Sequence, residues 1–371
     1  MVPAATSVPS RLPIELYRDV VQHVSARHLT TLCTVSSTLR HEAERVLYHT
    51  IQLYEPQRVR SWSLTIAGSE RLGVMVHSLT LPQSFSVDID QDTANLVQES
   101  LRIALRKVIN LKYLKITGGL RYPCLDLSLL AGCPFRLLGL SGNLAAKEAD
   151  ALKFLSEQPY IHSWSPGLPF LFRPQSTRTI PDGILPHLSE LKLDASRMLA
   201  HIPKWPLRGL VVRIQHFGNG LDGMDRLHLF QDTLTSLRCS GDRASFDHLE
   251  QHILVIARSV PKLKHLKYWL VLYSGILMIY DLRNLLPSIC QLTELETLLL
   301  MLHTVDNGPA GCNDSDHARE VARDFLISCP SLRRISFRAE RSTYLCFVKD
   351  PSGDVHMEAF KSIDEEWEWH A

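Results

Sequence analysis

The sequence predicts an α/β chain: a small N-terminal domain of three helices, then an irregular repeat solenoid with strands inside and helices outside. Three observations predict it. A Pro-led run of short amphipathic segments opens the chain. A six-residue apolar phrase then returns along most of its length. Apolar stripes with helical spacing lie between several copies of that phrase.

The opening run begins at Leu12-Pro13-Ile14-Glu15-Leu16. Pro13 suits the first position of a helix, where its missing N–H costs nothing and its fixed φ helps. Ile14, Tyr17, Val21 and Val24 recur at steps of 3, 4 and 3, one face of a helix. Leu29, Leu32 and Val35 make a second short stripe. Ser36 can cap a third helix, in which Leu39, Ala43, Val46 and Leu47 share a face and Tyr48 closes it. So few residues barely enclose a core. They leave apolar surface for a partner, or for the chain that follows.

Beyond residue 70 the phrase reads apolar-x-x-Leu-x-apolar. It occurs at Val76-x-x-Leu79-x-Leu81, Leu111-x-x-Leu114-x-Ile116, Phe135-x-x-Leu138-x-Leu140, Leu188-x-x-Leu191-x-Leu193 and Leu207-x-x-Leu210-x-Val212. It continues at Leu234-x-x-Leu237-x-Cys239, Leu263-x-x-Leu266-x-Tyr268, Leu295-x-x-Leu298-x-Leu300 and Leu332-x-x-Ile335-x-Phe337, with a weak copy at Ile161-x-x-Trp164. Successive middle positions lie 19 to 37 residues apart, mostly in the range of a leucine-rich repeat. The last two apolar positions of each copy fall on one side of a short strand. Helical stripes separate copies: Val97, Leu101, Ala104, Leu105 and Val108; Phe246, Leu249, Ile253, Ile256 and Val260; Ala318, Val321, Ala322, Phe325 and Leu326. The Asn or Cys usual after the strand is mostly missing, so the repeat is an irregular one. A doubly wound α/β domain is the alternative from the same alternation.

These features divide the chain into a disordered segment 1–10, a helical domain 11–53, a linker 54–70, the repeats 71–350, and a cap with tail 351–371. Tyr344, Cys346 and Val348 alternate before the turn Asp350-Pro351-Ser352-Gly353, which predicts a closing hairpin. The tail ends acidic and aromatic, from Asp364 to Trp369.

Composition excludes several classes. A net charge of +1 gives no field for nucleic acid or an anionic membrane. The longest apolar stretch, Trp269 to Tyr280, is too short to span a bilayer and contains Ser274 and Gly275. Residues 1–10 lack the pattern of a signal peptide. The 8 Cys include no Cys-x-x-Cys pair and read as buried thiols in a reducing compartment, cytoplasmic or nuclear.

Motifs with chemistry are weak. Gly218-x-Gly220-x-x-Gly223 follows a predicted strand, but Asp222 would repel a pyrophosphate. His248 and His252 lie four apart, yet Leu249 stands where a zinc hydrolase needs Glu, and both histidines are expected at the surface. Asp306, Asp314 and Asp316 lack calcium-loop spacing. Ser141, in Gly-Leu-Ser-Gly-Asn, misses a nucleophile elbow by one residue. No catalytic residue, metal or cofactor is expected.

Residues 11–53 resemble an F-box of the fungal type. The resemblance rests on the Leu-Pro-x-Glu-Leu start and on Val35-Ser36, Leu39, Ala43, Leu47-Tyr48 and Ile51-Gln52-Leu53. Many F-boxes carry a Trp in the third helix, in the neighbourhood where Leu39 stands here. The resemblance implies a substrate-recognition subunit of an SCF-type ubiquitin ligase. Leu12, Pro13, Leu16, Leu29, Leu32 and Val35 would face a Skp-family adaptor, and through it a cullin scaffold. A protein substrate would lie on the strand face, with Lys112, Lys115, Lys192, Arg213, Arg238 and Lys264 as candidates. An interaction scaffold without ubiquitylation is the alternative, and a nucleotide-binding α/β enzyme a remote one.

Overall fold

A computed structural model describes residues 13–82, 91–117, 125–142, 144–166, 179–214, 223–244, 246–272, 279–304, 315–338 and 344–358. Leu12, the N-terminal segment, the glycine loop up to Asp222, Asp306, Asp314 and the acidic tail lie outside them. The fold is mixed α/β and dominated by parallel strand pairing. It forms two compact units, residues 1–137 with 142–146 and residues 138–141 with 147–371.

The first unit opens with α1 (Ile14–Gln22), α2 (Ala26–Leu32) and α3 (Ser37–His49). Pro13 sits one position earlier than expected, as the N-cap of α1. The Ser36 hydroxyl accepts from the Leu39 N–H at 3.2 Å and so caps α3. Val21, Leu29 and Ala43 form the small core, with Val24, Leu32, Leu39, Val46 and Leu47 packed around it. Strand β1 (Thr50–Gln52) follows directly.

The expected linker is instead a helix, α4 (Pro56–Gly68). Pro56 starts it, and Val59, Trp62 and Ile66 are buried on its inner side. Then come α5 (Glu70–Met75), β2 (Ser78–Pro82), α6 (Gln91–Leu105) and β3 (Tyr113–Thr117). Helix α3 packs on α5, and α4 on α6. The helical domain and the first repeats therefore share one compact unit, and the division between units falls near residue 140 rather than at the expected linker. Strands β1, β2 and β3 pair in parallel, with Ile51 opposite Leu79 and Leu79 opposite Leu114. Short strands follow at Leu125–Asp126 (β4), Gly139–Gly142 (β5) and Leu144–Ala145 (β6), and β4 pairs with β6.

The second unit contains α7 (Glu148–Ser156), β7 (Ser163–Pro166), β8 (Glu190–Leu193), β9 (Gly209–Ile214), β10 (Ser236–Ala244), α8 (Phe246–Ser259) and β11 (His265–Leu272). It continues with α9 (Leu286–Ile289), β12 (Thr297–Thr304), α10 (Ser315–Ser328), β13 (Arg334–Arg338), β14 (Tyr344–Lys349) and β15 (Val355–Glu358). Strands β7 to β13 stand in chain order and pair in parallel; β14 and β15 close the edge as an antiparallel hairpin.

Every copy of the apolar phrase lies on a strand or at its start, including the weak copy, which forms β7. The copies are also in register. Trp164 stands opposite Leu191, Leu191 opposite Leu210, and the line continues through Leu237, Leu266 and Leu298 to Ile335. A second line runs Leu193, Val212, Cys239, Tyr268, Leu300 and Phe337. All are buried. Period-two alternation explains this: a slip of one residue would send both lines into solvent. The helical stripes are buried as well, with Leu249, Ile253 and Ile256 on α8, Val260 just after it, and Ala318, Val321, Phe325 and Leu326 on α10. Helix α10 packs on β13 and β14.

The expected closing hairpin forms as β14 and β15, and in β14 Leu345 and Phe347 are buried, opposite Phe337 and Ile335. Two local expectations are corrected. His252 is buried, and its Nδ1 lies within hydrogen-bond distance of the Tyr268 hydroxyl. Cys290 is an exposed thiol.

Candidate functional site

Helices α1 to α3 and their turns pack most of their apolar residues on their own core but leave several in solvent. Leu16 is 46% exposed, Val20 58% and Val35 63%, and Ile14 and Pro13 are exposed beside them in sequence. Leu16 and Val20 are one turn apart, so they share a face of α1, turned away from Val21. Apolar side chains on consecutive turns of a short helix, left in solvent, are the kind of surface that partners cover.

The expected adaptor residues separate into two sets. Pro13, Leu16 and Val35 stand at the surface. Leu29 is only 2% exposed: it belongs to the core and supports the surface instead of forming it. Leu32 is half-buried against the same core. Val20 was not anticipated, nor was the exposure of Ile14. The pair Leu16 and Val20, spaced four apart, was the available signal for the first.

An ion-pair cluster built on one buried carboxylate ties α1 to α3. Glu42 of α3 is fully enclosed, and its Oε2 accepts from Arg18 Nε of α1 at 3.2 Å and from Arg45 Nε at 2.9 Å. The other oxygen, Oε1, has no hydrogen-bond partner among the described residues. Nearby, Arg71 of α5 pairs with Glu44 of α3.

The candidate substrate residues belong to both units. In the first, Lys112 and Lys115 are exposed, and Lys115 alternates with the buried Leu114 and Ile116. In the second, alternation sets another face opposite the buried lines; it is polar at Lys192, Arg213 and Arg238 and buried at Lys267, Leu299, Met301 and Ser336. One row on it runs Lys192, Val211, Arg238 and Lys267, each the register partner of the next. The next row runs Arg213, Ser240, Trp269 and Met301. Lys192 and Arg213 are exposed and Arg238 is half-buried. Lys264 lies one residue before β11 and pairs with Glu296 at 3.5 Å. Lys267 and Trp269 also lie on the rows, although the sequence singled out neither as a binding residue. They occupy the variable positions of the phrase, which apolar periodicity does not register. Lys267 is only 6% exposed. On the same strand His265 Nδ1 lies 2.8 Å from Thr297 Oγ1, and burial, ahead of any charge, holds the imidazole below its ordinary pKa.

Gly223, the last glycine of the loop motif, has φ 83°, and a Cβ there would meet the Ser196 carbonyl oxygen at 2.6 Å. The segment after it is a 3-10 helix, Met224–Phe230, whereas a dinucleotide fingerprint opens an α-helix. Among the described residues no group of three or more His, Cys, Asp or Glu is placed to hold a metal ion. No described helix is long and apolar enough to cross a membrane. The sequence matches no family model, and a search of curated proteins finds no relative.

Proposed function

We propose that this chain is the substrate-recognition subunit of an SCF-type ubiquitin ligase, with α1 to α3 serving as an F-box and the remainder as an irregular leucine-rich-repeat solenoid. The observation that carries the proposal is the exposure of Leu16 and Val20 on α1 and of Val35 in the turn before α3, in a segment whose own core is small. It docks a Skp-family adaptor and, through it, a cullin scaffold. The register of the apolar phrase from Trp164 to Ile335 supports the repeat assignment. The strand face carrying Lys192, Arg213 and Arg238, with Lys264 at its edge, receives a protein substrate, and its charge favours an acidic or phosphorylated segment.

The mechanism is positional. Other subunits supply the chemistry; this chain raises the effective concentration of a substrate lysine near a charged ubiquitin-conjugating enzyme. Such a role places it in the cytoplasm or nucleus. The test is co-purification with a Skp-family adaptor, wild type beside Leu16→Ala/Val35→Ala. Both side chains are exposed, so the variant is expected to stay folded. Each anchor contributes about 2 kcal/mol, or about thirtyfold in affinity. Undiminished binding by the double variant would remove the docking assignment. Turnover of bound proteins in cells lacking this chain then separates a ligase receptor from a scaffold that docks the adaptor without ubiquitylation.

A further inference from the structure

In the last quarter of the chain, two cysteines far apart in sequence meet. Cys290 follows α9, whose last turn holds it through a Cys290 N–H bond to the Leu286 carbonyl at 2.9 Å. Cys329 follows α10, held in the same way by the Phe325 carbonyl at 2.9 Å. Their sulfurs are 3.1 Å apart. The segments they end lead into β12 and β13, which pair in parallel with Leu298 opposite Ile335. The contact therefore bridges two neighbouring strand-and-helix units on the helical side of the second compact unit.

The two thiols are not equivalent. Cys290 is exposed, while Cys329 is buried. Burial, and then the hydrogen bond with Cys290, push the Cys329 thiol above its ordinary pKa. An exposed thiol backed by a buried one is the arrangement of an oxidisable site with its resolving partner.

We propose that Cys290 and Cys329 form a peroxide-sensitive dithiol site, in which oxidation links the two neighbouring units by a reversible disulfide. The Cys290 thiolate attacks one oxygen of hydrogen peroxide; an S–O bond forms, the O–O bond breaks, and the departing hydroxide takes a proton to become water. The Cys329 sulfur then attacks the sulfenic sulfur. The S–S bond forms, the S–O bond breaks, and the hydroxyl leaves as water with the thiol proton. The two sulfurs lose two electrons, and one peroxide becomes two waters. A thiol reductant reverses the bond. In a reducing compartment such a pair rests reduced and closes only under oxidant.

The site is tested on the full-length chain with hydrogen peroxide, followed by alkylation of remaining thiols and digestion with trypsin and a Glu-specific protease. The second protease is needed because Cys290 and Cys312 share a tryptic peptide, and cleavage after Glu294 or Glu296 separates them. A cross-linked Cys290–Cys329 peptide, lighter by two hydrogens and released by dithiothreitol, is expected at low peroxide. It should be absent from Cys290→Ser and unchanged in Cys346→Ser. Closing this loop of about 40 residues should raise the melting temperature of the oxidised protein by about 5 °C, reversibly. Over-oxidation of Cys290 to a sulfinic acid without the cross-link would overturn the proposal. So would pairing of Cys290 with Cys312, or the same cross-link yield from guanidinium-unfolded chain.

Discussion

Glu42 shows how one residue sets a surface it does not belong to. A carboxylate enclosed in protein persists only when paired, and here Arg18 and Arg45 meet the same oxygen. The pairing fixes α1 against α3 and so fixes where Leu16 and Val20 point. Replacing Glu42 by Ala is expected to destabilise the first unit by about 1 kcal/mol, because both guanidiniums lose their partner but stay partly in water. Denaturant melts of the full chain, with a probe on Trp62, would register it as an earlier first transition. An unchanged transition would show that the ion pairs contribute nothing net. Gly142 makes a backbone demand of a different kind. Its φ is 114°, and a Cβ would come within 2.2 Å of the Ile116 carbonyl oxygen. Gly142→Ala is expected to cost more than about 2 kcal/mol, since both the dihedral and the space refuse a side chain. The same melts check it, and a loss below a few tenths of a kcal/mol would contradict that account.

Among elements, the strands were the most legible part of the sequence, for a physical reason. A parallel strand buries alternate residues, and a stack of them needs the same alternation in every copy. That constraint was strong enough for Ile161-x-x-Trp164 to mark β7 despite missing its third member. Truncating this line should be costly: Leu298→Ala at its centre is expected to lose about 3 kcal/mol and to speed hydrogen exchange in β11 and β12. Helix α4 was illegible because Val59, Trp62 and Ile66 are few and follow no copy of the phrase. Leu29 was misassigned because a stripe on a short helix does not say whether its cover is the chain itself or a partner. The β11–β12 pair also carries a pH dependence. Burial depresses the pKa of His265, so the unfolded chain binds its proton more readily than the folded chain. The stability it contributes is full above the unfolded value of about 6.5 and is lost as pH falls through the lower folded value. Melting temperature should therefore decline below pH 6.5, and less steeply in His265→Gln; identical slopes would exclude His265 as the cause.

The whole molecule carries two surfaces with different origins. The first is apolar and small, on helices that do not bury it themselves. The second is extended and partly polar, on the side of the strands left over when the alternating apolar lines are buried. Sequence periodicity located the second surface but could not choose among its residues, since Lys267 and Trp269 occupy the variable positions of the phrase, where the apolar pattern carries no information. It located the first only through the resemblance to an F-box, and the exposure of Val20 added a residue to it. The central claim concerns this first surface. Its most direct test is titration of the purified full-length chain with a purified Skp-family adaptor, read by hydrogen exchange. The account predicts a one-to-one complex with protection concentrated in residues 13–35 and unchanged exchange in β8 to β12. A folded chain that does not bind, or binding that protects the strand face and leaves α1 exposed, would contradict it.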